Sequence, residues 1–404
     1  EIEHHLVGDL SEPDVRRLLA ESGLTEPDLQ DAIVATANGV PYDLELALGI
    51  YHEKLKNGET PTPEDFMGTP RELHDRFFRY LDDDALVRAL ELLAVPRTWG
   101  RTLYAVLAEH FDPGFPVGQF DRLERFAFVT QLESGVFALH ERTREALHAH
   151  GGTDPADVHA FLFEHYKQAL AALQQPRDVT PAHERALAET FYHGQHVLDV
   201  EAFANWMHSA QKIFNDAARW RLLDGLYEDL LARQEAALDP EHEALGPTLN
   251  NLAVLYSAQG RYGEAEPRYQ RALAICEKAH GADHYYVASP LNGLAILYKN
   301  QGCYGEAEPL LQRALAICEK AHGADHPDVA TTLDNLAGLY KNQGRHEEAE
   351  PLLQRALEIS EKTLGTNHPD FATTLHSLAG LYYAQGSYGE AEPLYQRALA
   401  IKEK

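Results

Sequence analysis

The chain has 404 residues, 44% apolar and 24% charged, with a formal net charge of −28. This exceeds one compact domain, and the mix is that of an ordinary soluble protein. The acidic balance argues against nucleic acid as a partner, since phosphate contacts need a basic surface. No apolar run approaches the roughly 20 residues of a membrane span and no signal peptide opens the chain, so a cytoplasmic protein without membrane contact is expected. The charge is uneven: residues 1–240 carry 42 acidic against 21 basic side chains, residues 241–404 carry 21 against 14. Any anionic ligand must find a local basic spot against that field.

Residues 1–65 read as a helical domain. The opening EIEHHLVGDL has no start methionine and reads as the interior of a longer chain. In LSEPDVRRLLAESG, Ser11 stands as an N-cap before an acid-rich first turn. Gly39-Val40-Pro41 separates two helical patterns, where a proline restarts a helix with φ already set.

Residues 66–150 change pattern. ELHDRFFRYL, DALVRALELLAV, WGRTLYAVLAEHF and GQFDRLERFA predict four helices. FVTQLES and GVFALHE then alternate as two strands turning at Ser134-Gly135. Helices closed by such a hairpin predict a winged-helix domain, and its 13 acids and 10 bases give no basic face for DNA. Residues 151–240 hold four amphipathic helical segments without a common consensus. They predict degenerate helical hairpins that bridge to the repeats, with Phe203, Trp206 and Trp220 in the core.

From residue 241 the sequence repeats. Gln-Gly recurs at Gln259, Gln301, Gln343 and Gln385, a spacing of 42. Each unit pairs two amphipathic helices, the first carrying Leu249, Leu252, Ala253 and Tyr256 and the second Ala265, Tyr269, Ala272 and Leu273. Gly260 stops the first helix, and the linker GADHPD introduces the next unit. A single hairpin cannot bury its apolar stripe, so the four units must stack as a solenoid. The three cysteines, Cys276, Cys303 and Cys318, all lie in the repeats, which reads as repeat chemistry in a reducing compartment. RALAIKEK ends without a polar capping helix, so further chain is expected beyond it.

LNNLA, the YxxQGxYxEAEP pattern and GADHPDVA closely resemble tetratricopeptide repeats of the kinesin light chain type, over residues 241–404. The resemblance implies a right-handed superhelix whose first helices line a concave groove for a protein or peptide ligand. By motif position, the implied groove residues are Asn250, Asn251, Val254 and Ser257, then Asn292, Ile296, Lys299 and Asn300. Asp334, Asn335, Lys341, Asn342, His376, Ser377 and Tyr383 follow in the last two units. Asparagine offers a donor and an acceptor, which suits an extended peptide backbone. Gly293 and Ser377 stand where the other two units have Asn251 and Asn335, so the ladder is not uniform. The plainer reading makes these polar concave-face residues without a ligand.

A second resemblance covers residues 1–150. ANGVPYDLELAL is similar to the Gly-x-Pro segment in the helical lid of STAND-class NTPases, the NB-ARC and NACHT group. FALHERTREAL is similar to the Met-His-Asp segment of their winged helix, with Leu139 and Glu141 as mild departures. The resemblance implies that Pro41 packs against a nucleotide base and His140 reaches the β-phosphate of ADP. Each also has a plain reading, as a helix start and a strand-end histidine. ADP or ATP with Mg²⁺ is then implied for a full-length protein, with NTPase and effector domains upstream and homo-oligomerisation on activation.

No G-x-x-x-x-G-K-[ST] phosphate loop occurs in these residues, so the chain alone is expected to have no catalytic residues and no enzymatic activity. Cys276, His280 and His284, repeated as Cys318, His322 and His326, have a soft-ligand spacing. Gly281 and Gly323 break the helix before each last histidine, so no metal site is expected. Nor is one read at His4-His5 or at Asp82-Asp83-Asp84, the latter a solvated helix start.

The expected molecule is mostly α: a helical lid-like domain (1–65), a winged helix (66–150), bridging hairpins (151–240) and a repeat solenoid (241–404). The expected function is that of the sensor and regulatory region of a STAND-class signal-transducing NTPase, triggered by a foreign protein in a defence setting. A stand-alone scaffold or adaptor, and a winged-helix transcriptional regulator with a repeat sensor, are the other readings.

Overall fold

The computed structural model describes residues 10–81, 83–126 and 128–403, the side chains at 70, 71, 74, 75 and 80 excepted; His4, His5 and Asp82 lie outside the description. The chain divides into two compact units, Glu1–Tyr166 with Tyr192–Val197, and Lys167–Phe191 with Leu198–Lys404. Among the described residues, no helix is long and apolar enough to cross a membrane.

The first unit opens with α1 (Glu12–Glu21), α2 (Pro27–Ala37) and α3 (Pro41–Lys56). The Ser11 hydroxyl caps α1 by accepting from the Asp14 amide. Asn38 and Gly39 both take positive φ, at 45° and 81°. That pair turns the chain through the left-handed region, extended Val40 follows, and Pro41 restarts the helix at its first position.

A capping box between Thr69 and Glu72 opens α4 (Pro70–Tyr80), and the Asp83 carboxylate caps α5 (Asp84–Leu93) by accepting from the Leu86 amide at 3.1 Å. α6 (Arg101–Phe111) follows. The fourth expected helix is instead a 3₁₀ segment, Val117–Arg125, interrupted at Gln119. Its buried side chains, Phe120 and Leu123, are three apart, the spacing that a three-residue turn superposes.

The hairpin forms as expected, with β1 (Val129–Glu133) antiparallel to β2 (Val136–Leu139) and a register shift between Gln131 and Glu133. Trp99 adds a rung, exchanging both backbone bonds with Phe137 at 2.8 Å. Gly100 permits this approach, since a Cβ there would lie 2.5 Å from the Gly135 carbonyl oxygen. The rings of Trp99, Tyr104, Phe120 and Phe137 pack together as the core beneath the hairpin. α7 (Glu141–His150) continues from β2, and α8 (Pro155–Ala171) and α9 (Pro181–Val197) each supply residues to both units.

The second unit continues with α10 (Val200–Asp216) and α11 (Trp220–Ala237). Phe203 is buried there, with Trp206 and Trp220 packed against the same core. Four hairpins follow: α12 (Leu245–Ala258) with α13 (Tyr262–His280), α14 (Ala288–Asn300) with α15 (Tyr304–His322), α16 (Pro327–Asn342) with α17 (His346–Leu364), and α18 (Pro369–Ala384) with α19 (Tyr388–Lys402). Gly260 and its equivalents take φ of 75° to 82° at the turn within each hairpin. Ala253, Ala265, Ala295 and Ala307 are wholly buried between paired helices, so the backbones approach closely.

The consensus residues are spent on stacking one hairpin upon the next. Tyr298 donates to Glu266 at 2.9 Å, Tyr340 to Glu308 at 3.1 Å and Tyr382 to Glu350 at 3.0 Å. On the same rhythm, Arg313 pairs with Glu277 and Arg355 with Glu319, both at 2.7 Å. The repeating EAEP glutamates and the tyrosines before Gln-Gly are therefore two halves of one joint. That is the physical content of a 42-residue period.

Candidate functional site

A groove of about 980 Å³ runs along the first helices of the repeats in the second unit. Of the expected groove residues, Asn250, Asn251, Val254, Ser257, Asn292, Ile296, Asn300 and Asn335 line it. Its walls also hold residues that motif matching did not select, among them Glu201, His208, Glu243, His280, Tyr285, Tyr286, His322 and Asp328.

Three of the asparagines are held by neighbouring side chains rather than standing free. Asn251 Nδ2 donates to the Tyr227 hydroxyl at 3.2 Å, Asn292 Nδ2 to the Thr332 hydroxyl at 3.1 Å, and Asn335 Nδ2 to Asn292 Oδ1 at 3.5 Å. Asn250 Oδ1, by contrast, is buried with no hydrogen-bond partner, an acceptor left for something else. His208 bonds the Thr248 hydroxyl at 3.1 Å, and burial pushes its pKa down to about 4, so it is a neutral wall residue.

Lys299, Asp334, Lys341, Asn342, His376 and Tyr383 do not line this cavity. Burial lowers the Lys299 pKa and raises that of Asp334, with Lys299 and Lys341 opposing the latter shift. Asn342 is exposed at the end of α16. His376 meets the Tyr395 ring edge-on at 5.0 Å, and Tyr383 is 60% exposed beside Tyr388.

Gly293, the break in the asparagine ladder, has a steric cause. A Cβ there would lie 2.3 Å from Cε1 of Tyr269, whose buried hydroxyl is pushed up to about 12 by desolvation. Where the second and third hairpins have Leu311 and Leu353, the first has Tyr269, whose ring takes the space.

His284, His326 and His368 act as helix N-caps, each Nδ1 accepting a backbone amide two residues on at 3.2–3.4 Å. That role explains the histidine before each linker. Cys276 and Cys318 are buried, which pushes both thiols up and away from the thiolate. One group among the described residues, His322, His326 and Asp328, brings potential ligand atoms within 4.8 Å of one another.

In the first unit, Tyr42, which follows Pro41 in sequence, meets His140. Its ring stacks on His140 at 3.9 Å between centroids, and its hydroxyl bonds Thr143 Oγ1. Beside it, Arg142 Nη1 donates to Asp43 Oδ2 at 2.8 Å, and Asp43 is buried. His140 Nδ1 accepts from the Arg142 amide at 3.3 Å and so caps α7. The start of α3 and the start of α7 are thereby one packed joint. A smaller cavity of about 320 Å³ adjoins it, lined by Tyr42, Glu45, His52, Arg125 and three phenylalanines.

Comparison with protein families matches the tetratricopeptide repeat at residues 217–278, 245–300, 286–347 and 333–404. Comparison with curated proteins gives no match. Among solved structures, the fold is similar to a signal transduction ATPase with numerous domains (STAND) from Pyrococcus horikoshii that has a tetratricopeptide repeat sensor. That likeness has a TM-score of 0.55 at 14% identity and covers 98% of this chain and 54% of that one. BtubC from P. vanneervenii matches 61% of this chain and 91% of its own, at 24% identity and a TM-score of 0.43. A kinesin light chain with nearly identical repeats from Podosopora anserina matches 51% and 97%, at 28% identity and 0.42. The first family match reaches upstream of the 42-residue consensus to take in α11, whose Tyr227 meets Asn251 as Tyr269 meets the position of Gly293. Residues 217–404 are tetratricopeptide repeats.

Proposed function

We propose that this chain is the sensor and regulatory region of a STAND-class signal-transducing NTPase. The repeat groove takes a protein or peptide trigger, and the joint at Tyr42 and His140 couples the winged helix to a nucleotide held by an upstream domain. The supporting observation is the likeness of fold, over 98% of the chain, to a STAND protein with a repeat sensor. It is a likeness at 14% identity and spans 54% of that protein, so nucleotide, effector and oligomer belong to the proposal. The chain supplies no phosphate loop of its own, so ADP or ATP with Mg²⁺ would rest chiefly on the upstream domain. For the trigger to switch anything, it must bind the open form more tightly than the closed one.

The test is the nucleotide content of the full-length protein purified from its own cells. ADP retained by the wild type and lost from His140→Ala supports the switch. A reading frame without a phosphate-loop domain upstream of Glu1 would sink it and leave a scaffold.

A further inference from the structure

The linker between the first two hairpins departs from its siblings. Where the later linkers carry Pro327-Asp328 and Pro369-Asp370 after the capping histidine, this one carries Tyr285-Tyr286. Both tyrosines line the groove and stay exposed, at 39% and 47%. More than a third of each tyrosine stays open in a concave wall, so its role is sought in what it faces.

They complete a continuous row of rings. His280 meets Tyr286 at 4.9 Å, Tyr286 meets Tyr285 at 4.2 Å, and Tyr285 meets His322 at 5.1 Å. A carboxylate stands at each end, Glu243 at 3.4 Å from His280 Nε2 and Asp328 at 3.8 Å from His322 Nε2. Glu201 adds a third carboxylate to the groove, and no lysine or arginine is among its described lining residues. The unpartnered Asn250 oxygen is an acceptor in the same wall. Aromatic faces attract cations, carboxylates pair with them, and a buried acceptor needs a donor.

We infer that this groove is a recognition site for a basic side chain, arginine or lysine, carried by an extended segment of the partner. The ring row receives the cationic head, Glu243 and Asp328 pair with it from either end, and Asn250 accepts a peptide or guanidinium N–H. This rests on the protein-binding reading of the repeats and adds the chemistry of the ligand. The occupant is a peptide, because the groove runs over successive hairpins and its remaining walls interleave asparagine, serine and threonine with apolar residues such as Val254 and Ile296.

The experiment is selection of a random twelve-residue peptide library on this chain, followed by affinity measurement on synthetic hits. Enrichment of arginine or lysine at a fixed place is expected. Replacing that arginine by citrulline, which keeps the shape and removes the charge, should weaken binding about tenfold. Tyr285→Pro with Tyr286→Asp restores the sibling linker, so it should fold as the wild type does by circular dichroism. Binding to it should fall about tenfold and the citrulline effect should shrink to about twofold. Glu243→Gln should give an intermediate loss. Hits that lack a basic residue, or that bind the linker variant unchanged, overturn the cation site while leaving peptide binding intact. Selection of no peptide overturns both the site and the reading on which it rests.

Discussion

The Tyr269 ring occupies the space that any side chain at residue 293 would need, with Cε1 2.3 Å from the position of a Cβ on Gly293. Glycine in a helix interior ordinarily costs about 1 kcal/mol relative to alanine. Gly293→Ala is nevertheless expected to destabilise, by about 1–3 kcal/mol, because the ring must leave its rotamer or the helix must shift. In a Tyr269→Leu background, which copies Leu311 and Leu353, the same change should stabilise by roughly 0.5–1 kcal/mol. Urea denaturation of the four proteins of the cycle measures both signs. Equal effects in the two backgrounds would mean the ring is not what holds the glycine in place.

Glu308 accepts from the Tyr340 hydroxyl at 3.1 Å and pairs with Arg345 at 2.8 Å, joining two hairpins with one carboxylate. Removing it leaves the tyrosine hydroxyl, set in a partly buried joint, without its acceptor. Glu308→Ala should cost about 1.5–3 kcal/mol, the range for hydrogen bonds to a charged group. Glu308→Gln, which keeps an acceptor, should cost less than half as much. Thermal melts in low and high salt separate the two parts: the ion pair with Arg345 weakens with salt, and the tyrosine bond does not.

The repeats were legible because their period is written in tyrosines, arginines and glutamates that pair 32 to 37 positions apart. The β-hairpin turning at Ser134-Gly135 and the Ser11 cap followed from local chemistry alone. The 3₁₀ segment at Val117–Arg125 was not legible, since Phe120 and Leu123 fit an α-helical stripe equally well. About half of the residues selected by repeat position line the groove. Glu243, Tyr285 and Tyr286 were missed because matching to a consensus selects what recurs, and these residues matter where the consensus breaks. Lys299, Lys341 and Asp334 were selected by the same matching, yet they do not line that cavity, and Lys299 and Asp334 are half-buried within reach of each other's charge.

Asp43 is buried and its Oδ1 has no partner, while Oδ2 is held by Arg142 at 2.8 Å. Taking away the guanidinium strands a carboxylate, and the loss of one partner of a buried pair costs several kcal/mol. Arg142 is 43% exposed, so solvent replaces part of what is lost. Arg142→Ala is therefore expected to destabilise by about 2 kcal/mol, and Asp43→Asn in that background to recover most of it. If the second change brings no recovery, the pair is not what joins α3 to α7.

His159 and His193 are buried with their Nδ1 atoms 2.8 Å apart, on α8 and α9, which supports a shared proton between two neutral rings. His196, Arg144 and Arg97 add positive charge nearby, and His148 stands close enough to oppose protonation of His159. Desolvation first, and those neighbours second, push His159 down to about 4 and His193 to about 2, from an ordinary 6.5. In the folded state these rings refuse protons that the unfolded chain accepts below pH 6.5. Stability is thus full above that pH and is lost as pH falls through the window between 6.5 and about 4. Each such histidine contributes a slope of up to about 1.4 kcal/mol per pH unit. Carboxylates with lowered values, such as Glu264 against its ordinary 4.5, act mainly below that window. Urea denaturation at pH 7.5, 6.0 and 5.0 should show the loss, and His193→Gln should flatten the slope by about one histidine's share even if it lowers stability at every pH. A parallel pH dependence in wild type and variant would mean that the pair takes up its proton in the folded protein.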